Sequence, residues 1–239
     1  MSLSWMGLTE LAALLKAGKL SSVELTQHLL QRVSQADSTL HAFTEVYADQ
    51  AVALARAADQ ARTSGLPLGA LHGLPVVLKD LLDIDGQICT LGSKHFVTRR
   101  ATQTSATVER LLQAGMIPLG KVHMTEFAFG GWGTNPLMGT PRNPWDLKTH
   151  RVPGGSSSGT GVAVAAGYAP IGIGSDTGGS VRTPSAFNGL TGLKVTFGRI
   201  SLHGTGLLSW TLDSIGPMGR NVRDCALVLD ALVGPDSRD

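Results

Sequence analysis

Cysteine is nearly absent from this chain. The two that occur among 239 residues, Cys89 and Cys225, stand far apart and show neither C-x-x-C nor zinc-ligand spacing. That argues against a disulfide framework and a structural metal, and makes a reducing cytoplasm the expected setting. Charge is sparse as well. Asp, Glu, Lys and Arg make up 16% of the chain, the formal net charge is +2, and the longest basic run is Arg99-Arg100. No nucleic-acid footprint is present, and no direct nucleic-acid partner is expected. Long hydrophobic runs are missing too. The best apolar stretch, residues 162–174, is too short to span a bilayer and contains Pro170, so no membrane association is expected. The N-terminus has no basic leader and carries Glu10 early, which reads as an amphipathic helix rather than a signal peptide. No internal repeat or low-complexity linker interrupts the sequence.

Apolar residues and glycine are abundant. The chain is 42% hydrophobic with 30 glycines, the balance of a packed globular enzyme with many turns. Its length suffices for one sizeable core. Three helices are expected first. Residues 8–16 form one, stopped by Gly18. The next starts at a capping box of Ser21 and Glu24, with Leu20 and Leu25 placed for a hydrophobic staple. The third is Ala-rich, residues 48–62, ended by Gly65 and Pro67. From Leu71 the texture changes. Strands are expected at residues 75–78, 116–120, 170–174 and 193–195, and helices at 104–113 and 221–232. Strands separated by helices predict an α/β layered domain.

Three segments carry chemistry. The first, residues 153–167, reads P-G-G-S-S-S-G-T-G-V-A-V-A-A-G. It lacks the lysine of a phosphate cradle and the G-x-G-x-x-G of a dinucleotide site. Residues 155–159 match G-x-S-x-G, but that elbow requires a preceding strand, and the residues before it are studded with prolines. A hydrolase built on Ser157 with a histidine base such as His203 is therefore the weaker alternative. The second segment, residues 173–186, reads I-G-S-D-T-G-G-S-V-R-T-P-S-A. Adjacent glycines let backbone approach a ligand and turn successive N–H groups inward. A serine at the end of such a turn has its attack site and its oxyanion donors in one place. A plain Gly-Gly turn accounts for the same residues. The third segment, residues 72–80, reads H-G-L-P-V-V-L-K-D. Lys79 ends an apolar strand, where burying its charge is costly. To act as a base near neutrality its pKa must fall from about 10.4 to near 7, which is about 4 kcal/mol. Desolvation can produce that change. A strand-end lysine reaching solvent is the alternative.

Together these segments resemble the amidase signature family, from the Leu20-Ser21-Ser22-Val23-Glu24-Leu25 helix start to Gly234-Pro235-Asp236. The most specific part is the block at residues 154–184 with the upstream G-x-P-V-x-x-K-D. The resemblance implies a mixed central β-sheet covered by helices on both faces. It also implies an acyl-serine mechanism with a Ser-Ser-Lys triad and no cofactor or metal. Carried over position by position, the nucleophile falls on Ser180 and the base on Lys79. The bridging serine, held on a cis peptide bond in the family, falls on Ser156, 24 positions before Ser180. The backbone N–H groups of Thr177, Gly178, Gly179 and Ser180 then form the oxyanion hole. Asp176 is expected to order the turn, Arg182 to hold the loop or meet an acidic substrate group, and Ser175 to contact Lys79. Ser157, Ser158, His72 and His123 are expected to be loop and packing residues.

The family spans free amidases and the amidase subunit of the glutamyl/aspartyl-tRNA amidotransferase. That subunit usually carries G-S-S-T-E after M-x-E-F-A. Residues 124–136 read M-T-E-F-A-F-G-G-W-G-T-N-P instead, which favours a stand-alone amidase acting on a small-molecule or peptide amide. A homodimer or partner subunits are compatible with either. The expected organisation is one domain over residues 1–239, with N-terminal helices to about 66 packed on a catalytic core from about 70. The C-terminal half of the usual family domain is missing by this reckoning. A truncated, non-catalytic remnant with exposed apolar sheet edge is the remaining alternative.

Overall fold

The computed structural model describes residues 2–65 and 67–239. The expected boundary at residue 66 lies outside the described residues. α1 (Leu8–Lys16) has the bounds its periodicity sets. α2 (Ser22–Leu40) begins at the capping box: Glu24 N–H donates to Ser21 Oγ at 3.0 Å, and Ser21 N–H donates to the Glu24 carboxylate at 2.8 Å. Its last turn is closed by Asp37, whose carboxylate takes the N–H groups of Ala42 and Phe43 at 2.8 and 3.2 Å. The chain then enters β1 (Phe43–Val46), so the opening is not purely helical as expected. β1 is short and only half buried, and its Thr44-Glu45 gives no apolar signal. α3 (Ala48–Thr63) follows and buries Ala51, Ala55 and Ala58 on the face packed toward α2.

The remaining strands are β2 (Pro75–Lys79), β3 (Ile117–Val122), β4 (Ile171–Asp176), β5 (Thr191–Gly192) and β6 (Ser214–Gly219). They form one six-stranded sheet in the order β1-β3-β2-β4-β6-β5. β3, β2 and β4 run parallel, while β1, β6 and β5 pair antiparallel with their neighbours. Every residue of β2, β3, β4 and β6 is buried, as continuous apolar runs in a covered sheet require. The mixed α/β class expected from the sequence is the class observed.

Helices α4 (Ala106–Gln113), α5 (Ser158–Ala165), α6 (Arg182–Phe187) and α7 (Val222–Leu232) complete the layers. α5 is built from small residues because it lies flat on the sheet. A Cβ on Gly172 or Gly174 of β4 would strike α5's Thr160 or the neighbouring Ser157 side chain at 2.6 Å. A Cβ on Gly159 would come within 2.4 Å of backbone atoms of Ala42 and His123. Ile171, just before these glycines, points the other way, toward Gly219 and the Cys225 of α7.

Two expectations need correction. Residues 193–195 are not a strand: pairing is confined to Thr191–Gly192, and after Leu193 N–H donates to Pro217 O at 3.0 Å the chain leaves as a loop. β6 was unforeseen because Gly216, Pro217 and Gly219 read as breakers, although Pro217 sits opposite Ile173 in the ladder. Large apolar side chains stay in solvent, with Trp210 81%, Phe129 79% and Trp145 74% exposed.

The first and last helices are tied by one carboxylate. Gly7 precedes α1 and has no side chain to cap it. Asp224 of α7 does so instead, taking Leu8 N–H at 2.7 Å and Thr9 N–H and Oγ1–H at 2.9 Å. It is fully buried. Asp224→Ala leaves those donors unsatisfied and is expected to cost about 2–3 kcal/mol of unfolding free energy in urea titrations.

Candidate active site

β2 and β4 are parallel neighbours in register, Leu78 opposite Ile173, so their C-terminal ends meet. Open α/β sheets place their sites at such an end. Lys79 closes β2 and is fully buried. Its Nζ donates to Ser156 Oγ at 2.7 Å and to Ser175 Oγ at 2.9 Å. Burial pushes its pKa down to about 7, against the opposing pull of the Asp213 and Asp176 carboxylates.

Ser156 follows a cis Gly155–Ser156 peptide. The preceding loop is pinned where Gly155 N–H donates to Gly131 O at 2.8 Å and Thr125 N–H to Ser156 O at 3.1 Å. A Cβ on Gly155 would meet Gly130 O at 2.6 Å, so only glycine fits. Ser157, next in line, is fully buried, and its hydroxyl is spent on Ser175, donating to O at 3.2 Å and accepting from N–H at 3.3 Å. A strand does not precede it, and no hydrogen bond joins it to His203 among the described residues. Both observations weigh against the nucleophile elbow.

Ser180 stands half-buried at the end of the turn after β4. Ser157 N–H donates to its carbonyl at 3.2 Å. Its hydroxyl makes no hydrogen bond among the described residues. Lys79, Ser156 and Ser175 are thus joined through side chains, and Ser180 is joined to them through backbone.

Asp176 orders the turn. One oxygen takes Gly179 N–H at 2.7 Å, and the other takes Val181 N–H at 3.1 Å and Arg182 N–H at 3.3 Å. The Arg182 guanidinium closes on it through Nε at 3.0 Å and Nη2 at 2.9 Å. Burial alone would raise the Asp176 pKa, but these donors outweigh it and the carboxyl sits below its usual value. Gly179 has φ 136°, which favours glycine. Here the expected oxyanion set changes: the Gly179 N–H is committed to Asp176. Those of Thr177, Gly178 and Ser180 have no acceptor among the described residues.

Of the other expected residues, His72 bonds Ala58 O at 3.1 Å and Ser158 Oγ donates to His123 O at 3.4 Å. His123 itself is buried, and its pKa falls to about 4 through burial, helped by His41. Cys89 and Cys225 are buried free thiols. An apolar cleft of about 660 Å³, lined by Trp5, Arg32, Trp145, Leu147 and Leu190, opens at the far end of α5 and shares no residue with the cluster. Among the described residues no group of acidic, His and Cys side chains could hold a metal ion, and no helix is long and apolar enough to cross a membrane. Sequence reasoning missed Asp213, a buried carboxylate immediately before β6. Its signal, an acid just ahead of a buried strand, was hidden with the strand itself.

With a strand-end lysine, two hydroxyls beside it and a Gly-Gly turn brought to one place, the chain belongs to the Amidase family, whose model matches residues 24–239. A glutamyl-tRNA(Gln) amidotransferase subunit from Chromohalobacter salexigens is 49% identical over 97% of this chain and 47% of its own length. Native peptide amidase of Stenotrophomonas maltophilia superposes with a TM-score of 0.91 at 36% identity, over 98% of this chain and 49% of its own. A structure described as a vestigial protein complex bearing on the origins of an s-triazine catabolic enzyme gives 0.95 at 39% identity, over 98% and 51%. The chain spans about half the length of these relatives.

The lowered pKa of Lys79 has a stability consequence. Between about pH 7 and 10.5 the unfolded chain binds a proton at this lysine that the folded chain does not. Stability therefore rises with pH across that window, by up to about 1.4 kcal/mol per pH unit from this group. Lys79→Met removes the contribution, so its unfolding free energy should climb less steeply between pH 7 and 10 than that of the unsubstituted chain, read from urea titrations at stepped pH.

Proposed function

We propose that this chain carries the catalytic machinery of an amidase that hydrolyses a carboxylic acid amide through an acyl-serine intermediate. The carrying observation is the 2.7 Å hydrogen bond between buried Lys79 Nζ and Ser156 Oγ, with the lysine pKa at about 7. A neutral Lys79 takes the Ser156 proton while Ser156 takes that of Ser180. A hydroxyl can donate and accept at once, which is what such a bridge needs. Ser180 Oγ attacks the amide carbonyl, and the developing oxyanion is met by the N–H groups of Thr177, Gly178 and Ser180. The proton returns by the same path to the leaving amine, and water then releases the acid. Ser175 holds the second face of Lys79, and Asp176 with Arg182 holds the turn. On this reading the substrate is a small-molecule or peptide amide, the setting is cytoplasmic, and residues 1–239 act as one catalytic unit.

A second reading has support in the 49% identity to a glutamyl-tRNA(Gln) amidotransferase subunit: the same hydrolytic step serves a tRNA-dependent amidotransferase, with partner subunits. The M-T-E-F-A-F-G-G stretch that favoured a stand-alone amidase does not separate the two.

A fluorophosphonate probe is expected to label Ser180 in the folded chain. Ser180→Ala should abolish labelling, and Lys79→Ala and Ser156→Ala should each slow it by about 100-fold or more. His203→Ala should leave it unchanged. Labelling that requires the presence of partner subunits supports the second reading. A folded chain that resists the probe in every setting makes it a non-catalytic remnant.

A further inference from the structure

The apolar cleft at the far end of α5 has a volume of about 660 Å³, within the range of small-molecule sites. Its lining holds two arginines, Arg32 and Arg220, and neither Asp nor Glu. Arg32 donates through Nε to Ala166 O at 2.6 Å and lies over the Trp5 ring, 4.7 Å from its centroid. Its two terminal nitrogens have no hydrogen-bond acceptor among the described residues. Arg220 donates through Nη1 to Val164 O and Ala169 O at 2.9 and 3.1 Å and through Nη2 to Ser4 O at 2.6 Å. Its buried Nε has no acceptor among the described residues.

Neither guanidinium pairs with a carboxylate among the described residues. The carbonyls they meet lie at and just beyond the last turn of α5, and a helix end carries only about half a unit of negative charge. That is too little to offset two full cations. Burial lowers the Arg220 pKa to about 10; the Asp224 carboxylate opposes this, and Arg32 adds to it. The opposite wall is apolar and already in place. Trp145 is 74% exposed, yet its indole N–H donates to Asn188 O at 2.9 Å and its backbone N–H to Asn143 Oδ1 at 3.0 Å. Its ring lies against Gly189, where a Cβ would come within 3.3 Å of it. An indole held in this way offers a stacking face to a second aromatic ring.

We propose that this cleft binds a small arylalkanoate, its carboxylate on the free donors of Arg32 and Arg220 and its ring against Trp145 and the neighbouring leucines. A carboxylate supplies the counter-charge that the lining lacks, and a guanidinium binds it through paired N–H donors. Occupation of this cleft is independent of the acyl-serine reading, since no residue is shared with the Lys79 cluster.

The probe is 4-phenylbutanoate, with 4-phenylbutan-1-ol as the uncharged analogue and acetate as the charge without the ring. Binding is read from the indole N–H resonance of Trp145 in 15N-tryptophan-labelled chain, assigned by its loss in Trp145→Phe. The acid is expected to move that resonance saturably, and the alcohol and acetate to bind about tenfold more weakly or worse. Arg32→Gln should weaken the acid by about tenfold and leave the alcohol unchanged, and Arg32→Lys should recover part of the loss. Arg56→Gln, an exposed charge on α3, should change nothing. If Arg32→Gln does not fold, judged by circular dichroism, the preference of the unsubstituted chain for acid over alcohol decides. An unmoved Trp145 resonance at millimolar acid overturns the proposal, as does equal affinity for acid and alcohol. So does sedimentation as a dimer that Trp145→Ala dissociates, which gives the cleft to a second copy of the chain.

Discussion

An amine shut away from water sets the terms for the rest of this structure. Lys79 has no solvent exposure, and its Nζ contacts two serine hydroxyls, with no direct ion pair among the described residues. Holding a full charge there costs several kcal/mol. Giving up the proton is the cheaper solution, and the pKa falls to about 7. The same lack of water that leaves much of the lysine unprotonated near neutral pH makes its hydrogen bond to Ser156 short and directional.

Everything around the amine serves to keep it dry and aligned. The parallel register of β2 and β4 puts Lys79 beside Ser175. Glycines at 172 and 174 let α5 settle on the sheet, which carries Ser156 and Ser157 down onto the strand end. Ser157 spends its hydroxyl on the Ser175 backbone and so fixes the second partner of the lysine. The turn that follows is held from inside by Asp176, which draws three N–H groups and a guanidinium to itself. A Gly-rich stretch that looks permissive in sequence is, in the fold, among the most confined parts of the chain.

The legible parts of the sequence were those with local causes. The capping box at Ser21 and Glu24, the α1 bounds and the apolar runs of β2, β3 and β4 follow from residues that are neighbours in the chain. Positions 79, 156 and 180 were singled out by resemblance alone, since composition and spacing left each of them open. Hidden from both were features set by distant partners. β1 and β5 form because an edge is available, and β6 forms despite Pro217 because β4 and β5 flank it. Asp213 was lost with β6. The Gly179 N–H was misassigned for a related reason: whether a turn N–H is free depends on where a neighbouring carboxylate points, which spacing does not tell.

Two lysines are buried in adjacent parallel strands, and they differ in their contacts. Lys121 of β3 is as deeply buried as Lys79. Its Nζ donates to Leu82 O at 2.6 Å and lies 3.8 Å from the Asp80 carboxylate. Burial raises the Asp80 pKa, while Lys121 and the Thr90 hydrogen bonds pull it back. That arrangement is an internal ion pair fastening the residue after Lys79 to the next strand. Lys79 has hydroxyls where Lys121 has a carbonyl and a carboxylate, and hydroxyls can pass a proton onward. Asp213 and Asp176 act on it at a remove, enough to favour the ammonium without capturing it. Burial alone therefore does not make a base. On the proposed reading a base needs burial with proton-conducting neighbours, and in this sheet Lys79 of β2 has them where Lys121 of β3 has an ion pair.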